Sequence, residues 1–129
     1  MDWLTGGKLG EAKRLIAQLA DATHRDDAAR DLIGLGVDAV TPLLDALQTR
    51  DLNLLAIYEQ ILARIPSASP ALIQTLQTAH PILRARAADI FAISKDKSAV
   101  PALMDSLQGE YFTVRARAAI ALGQIGRAH

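Results

Sequence analysis

The sequence predicts an all-α protein, an α-solenoid (α/α superhelix) of stacked antiparallel helix pairs. Three observations carry that expectation. The 129 residues include 24 Ala and 19 Leu, a third of the chain drawn from the two strongest helix formers. Two motifs recur and interleave at a period of 29–31 residues. Inside each copy the apolar residues follow the i, i+3, i+4, i+7 spacing of one helix face.

The elements follow in chain order. An opening helix is expected at about 9–21, with Leu15, Ile16 and Leu19 on its apolar side. Thr5-Gly6-Gly7-Lys8-Leu9-Gly10 before it reads as a flexible lead-in. Its Gly-Lys lacks the earlier Gly and the following Ser/Thr of a phosphate loop. Helix pairs are then expected at 24–35/39–48, 53–65/69–78 and 81–94/98–108, and a last helix at 112–125. In the second helices, Ala39-Val40-Thr41-Pro42-Leu43-Leu44-Asp45-Ala46-Leu47-Gln48 realigns on Ala99-Val100-Pro101-Ala102-Leu103-Met104-Asp105-Ser106-Leu107-Gln108, with Ser69 to Gln77 halfway between. In the first helices, Arg84-Ala85-Arg86-Ala87-Ala88 recurs as Arg115-Ala116-Arg117-Ala118-Ala119, and Arg25-Asp26-Asp27-Ala28-Ala29 is a more distant copy. Only 54–65 departs, placing Leu-Leu-Ala-Ile-Tyr in the Arg-Ala slot. Pro42, Pro70 and Pro101 lie near helix starts, the latter two where no amide bond is lost. Gly36 and Gly126 are placed as C-caps. Short links make neighbouring helices antiparallel. Each unit buries its apolar face only against its neighbours, so the whole is one repeat domain over 1–129, about four repeats with the last incomplete.

Composition bounds the function. Fourteen basic residues balance fourteen acidic ones, whereas binders of nucleic acid or anionic membranes carry a basic excess. With no Cys there is no disulfide framework, thiolate zinc site or thiol nucleophile. No apolar run approaches the roughly 18 residues of a membrane span, and the N-terminus lacks a signal-peptide pattern. The expectation is a soluble, cytoplasmic protein without cofactors.

The residues also carry a family resemblance. Val114-Arg115-Ala116-Arg117-Ala118-Ala119-Ile120-Ala121-Leu122-Gly123-Gln124-Ile125-Gly126 looks like the first helix of a short HEAT-like repeat, and Ser98 to Leu107 resembles the second. The variety is that of phycobilisome lyase-type HEAT proteins, and the likeness spans roughly residues 12–126. Thr41-Pro42-Leu43-Leu44-Asp45-Ala46 is similar to an ankyrin signature, but it occurs once and lacks the His. The period is also shorter than the ankyrin and tetratricopeptide repeats.

No catalytic constellation emerges, so an enzyme is not expected. His24, His80 and His129 occupy different columns of the repeat, whereas a metal site needs three or four converging ligands. Asp26 and Asp27 open a helix, where carboxylates meet the positive end of its dipole. Arg84 and Arg115 stack one repeat apart. They read as an inter-repeat ladder to a carboxylate or helix-end carbonyl, with Glu110 and Asp89 as candidate carboxylates. A phosphate-binding stripe, as in HEAT-like DNA glycosylases, is disfavoured by the balanced charge. Residues 1–78 hold seven basic and ten acidic residues, net −3, and 79–129 hold seven and four, net +3.

Asp45, Gln48, Gln74, Gln77, Asp105 and Gln108 point away from the expected core. The resemblance implies that second helices line a concave face, so these six residues form the expected partner-binding surface. The resulting expectation is a non-catalytic protein–protein interaction scaffold. The alternative, by family resemblance only, is an accessory or lyase-like subunit in bilin chromophore attachment; a DNA-binding domain ranks below it. Val114, Ala118, Leu122 and Ile125 on the last helix are expected to lack a covering helix, which makes 112–125 a site of self-association.

Overall fold

A computed structural model describes residues 7–129. Among them are eight α-helices, two 3-10 turns and no strand. The helices are α1 (Gly7–Gln18), α2 (Arg25–Leu35), α3 (Val37–Ala46), α4 (Leu52–Ala63), α5 (Ser69–Thr78), α6 (Pro81–Ser94), α7 (Val100–Ser106) and α8 (Phe112–Ala128). The fold is all-α and solenoid-like, built of packed helix pairs, and every expected helix is present.

Several boundaries differ for physical reasons. The lead-in expected at Thr5–Gly10 is helical from Gly7 onward, and Thr5 and Gly6 lie outside the described residues. Gly36 closes α2 with φ +61°, a conformation that side chains resist. Gly126, expected as a C-cap, instead lies inside α8. Pro42 stands well inside α3 because the helix already begins at residues 37–39. Their equivalents Lys97–Ala99 form a 3-10 turn, as do Pro66–Ala68 before α5.

The chain divides into two compact units, residues 1–68 and 69–129. In the first, α1 packs on α2 and α3, burying Leu15, Leu19, Leu32 and Leu43. Tyr58, Ile61, Leu62 and Ile65 add the α4 side of that core. In the second, α5 packs on α6, α7 packs on α8, and the most extensive helix contact is α6 with α8. Ala85, Ala87, Ala88, Ala118 and Ala121 are buried there, and small side chains are what let two helices approach so closely. Ile90, Phe91 and Leu103 fill the rest of that core, each burial contributing about 1.5–3 kcal/mol. No polar or charged residue is buried among the described residues.

One expectation is overturned. Val114, Ala118 and Ile125 are buried and Leu122 is half-buried, because α8 turns that face onto α6 and α7. The exposed side of α8 is the opposite one.

Candidate functional site

The first-helix arginines set the frame of the site. Arg84 Nε donates to the carbonyl of Ala79, just beyond α5, and Arg115 Nη1 donates to the carbonyl of Gly109, beyond α7, at 2.8 Å. Arg25 does the same to Leu19 beyond α1, also at 2.8 Å. Each arginine therefore closes the end of the helix that precedes its own, where carbonyls lack amide partners and a cation meets the negative end of the dipole. The acceptors are backbone carbonyls and not the candidate carboxylates. Asp89 instead meets Arg117, at 3.4 Å. Burial holds the Asp89 carboxyl above its usual range, and Arg117 only partly offsets that. Glu110 bonds to Tyr111 and pushes the phenol upward.

With Arg84 anchored, its guanidinium carbon lies 5.8 Å from the centre of the Tyr111 ring, a cation–π separation. Both side chains line a pocket of about 180 Å³ in the C-terminal unit. Its floor includes Leu76, Ala102 and Val114, and its rim includes Gln77 from α5 with Asp105 and Ser106 from α7. The Ser106 hydroxyl donates back to Ala102 within its helix. The pocket thus joins an apolar floor to an amide, a carboxylate, a guanidinium and a phenol. Such a set hydrogen-bonds a polar group that both donates and accepts, as a peptide unit does.

All six second-helix residues singled out from sequence are exposed. Gln77 and Asp105 come together at this pocket. Gln74 within α5 and Gln108 just beyond α7 do not line it, and Asp45 and Gln48 lie in the other unit. Sequence reasoning missed Tyr111 as a pocket wall, because nothing in the repeat pattern marks a helix-entry tyrosine as the seat of an arginine. It also missed Arg25 as a bonded member of its column, although the alignment of Arg25 with Arg115 was the available signal. Among the histidines, His24 bonds Asp21 at 2.7 Å and His129 lies 3.2 Å from the Lys95 carbonyl. No group of three or more candidate metal ligands occurs among the described residues. No helix among them is long and apolar enough to cross a membrane.

Residues 69–128 match the family model for HEAT repeats, a span that coincides with the C-terminal unit. No curated protein matches the sequence.

Proposed function

We propose that this HEAT-repeat protein is a non-catalytic scaffold that holds another protein on its second-helix surface. HEAT repeats generally serve as protein-interaction scaffolds. In the C-terminal unit the surface comprises Gln74, Gln77, Asp105 and Gln108, and in the N-terminal unit Asp45 and Gln48. The observation that carries the reading is the pocket where Gln77 and Asp105 meet the Arg84–Tyr111 pair. An apolar floor with a few convergent polar groups is the usual form of a recognition pocket. At this size it accepts one side chain of a partner, with the surrounding glutamines as a polar rim.

The test is capture from a native cell extract by the immobilised protein and by a Gln77→Arg/Gln108→Arg variant. Proteins bound by the native chain are expected to be lost from the variant. The melting temperature should barely change, since exposed substitutions move stability by under about 0.5 kcal/mol. Loss of the same proteins only when first-helix residues are changed would place the surface elsewhere. Self-association through the C-terminal helix 112–125 belongs to the same reading, and the exposure of Phe112 and Ile120 favours it.

A further inference from the structure

The helix α8 has two apolar faces. Its inner face, Val114, Ala118, Ala121 and Ile125, is buried within the unit. On the outer side Phe112, Ala116, Ala119, Ile120 and Gly123 recur at helical spacing and form a second stripe. Phe112 is 74% exposed and Ile120 54%, the largest apolar side chains left bare on this helix. Their equivalents one repeat earlier show what such a stripe does in this fold. Ala85 and Ala88 of α6 align with Ala116 and Ala119, and both are buried in the unit where α6 makes its most extensive contact with α8.

We infer that a second copy of this chain docks on the outer stripe of α8, antiparallel across a twofold axis. The stripe is self-complementary in that direction. Seating Phe112 of one copy on Gly123 of the other places Ala116 beside Ala119 next to the axis, with Ile120 flanking that pair on each side. A side-chain carbon at Gly123 would have no neighbour within 4 Å, so the glycine leaves open room for the ring. The charges also match. Glu110 precedes the stripe and Arg127 follows it, both exposed, and the antiparallel register brings each beside the other across the axis. A parallel pairing would set Arg127 on Arg127 and Phe112 on Phe112. A head-to-tail stack on α2 would bury Asp27, Arg30 and Asp31, which are exposed and charged. An isologous pair closes as a dimer, whereas head-to-tail stacking does not close.

This inference rests on the self-association reading and is independent of the pocket at Gln77. Sedimentation equilibrium of the full chain is expected to show the 13.8 kDa species converting to one of twice that mass as concentration rises. Ile120→Glu should abolish the conversion with the circular dichroism unchanged. Arg127→Glu and Glu110→Arg should each weaken it several-fold, and the two together should restore it. The chain has no cysteine, so Ala119→Cys offers one thiol per copy, which a short bis-maleimide should join into a covalent dimer. A monomer at every concentration overturns the proposal. Growth beyond the dimer without the Ala119→Cys crosslink overturns it in favour of head-to-tail stacking. In either case retention of partners by the Gln77 surface is unaffected, which separates the two failures.

Discussion

Arg25, Arg84 and Arg115 show how one residue type can do the same work at three places, each closing a preceding helix end through its guanidinium. The column was legible from the recurring Arg-Ala motif. The acceptor was not, because a backbone carbonyl leaves no mark in a sequence. Other single residues can be tested directly. Gly36 has φ +61°, so Gly36→Ala is expected to cost more than about 1 kcal/mol, while Gly34→Ala in the helix should gain up to about 1 kcal/mol. Urea unfolding of the pair checks the opposite signs. Asp96 caps the turn before α7 by accepting from the Ser98 amide, and its other oxygen takes the Ser69 hydroxyl. Burial raises its carboxyl, but the bonds from Ser69 and Ser98 outweigh burial and hold it below the usual value. A folded-state value below the unfolded one stabilises above the carboxylate range and is lost as pH falls through the folded value. Asp96→Ala should therefore cost about 1 kcal/mol at neutral pH. The gap should narrow in acid; a gap of constant size at low pH would separate the cap from the charge.

At the scale of elements, repetition decided what could be read. The helices from α5 onward follow the repeating pattern, and their positions were legible within a few residues. The close packing of α6 on α8 follows from the alanines of the doubled motif. Ala88 and Ala119 occupy the same column of successive repeats, yet Ala88 is fully buried and Ala119 is exposed. Ala88→Leu should cost about 1–3 kcal/mol by overpacking. At dilution low enough to keep the chain monomeric, Ala119→Leu should fall within about 0.5 kcal/mol of the native protein. Equal losses would mean that the outer face of α8 is covered after all. The departing segment forms its expected helix, but how that helix packs was not legible. Bulky Ile57 and Tyr58 stand in the slot of Ala87 and Ala88, and a groove of about 310 Å³ opens beside Ile57 and Ile61, with Ala29 and Ile33 of α2 in its lining. A single sequence shows that the pattern breaks there, but not whether the helices respond by parting or by repacking. The face of α8 was misjudged for a related reason. An apolar stripe on the last helix does not say whether its own neighbours cover it, and here α6 and α7 do.

For the whole molecule, charge and structure divide at the same place. Residues 69–78 contain no Asp, Glu, Lys or Arg, so the net −3 and +3 of the two halves belong to the units 1–68 and 69–129. The match to HEAT repeats falls on the second unit alone, although the first repeats the same helical order. The second unit also holds a core of its own. Leu72, Leu76, Ile90, Phe91, Leu103, Val114 and Ile125 are buried, and α5 to α8 supply all of them. A chain of this size buries only about 60% of the surface its unfolded form exposes, so stability is expected to be marginal but sufficient. The fragment 69–129 should therefore be helical and unfold cooperatively in urea, with a slope of about 1 kcal/mol per molar, at the low end for small proteins. Phe91 is the largest fully buried side chain. Its replacement by Ala removes about 3–5 kcal/mol, as much as a core of this size supplies, so Phe91→Ala should abolish the transition. A native fragment that loses helicity gradually, without a transition, would show that residues 69–129 need the rest of the chain to hold their packing.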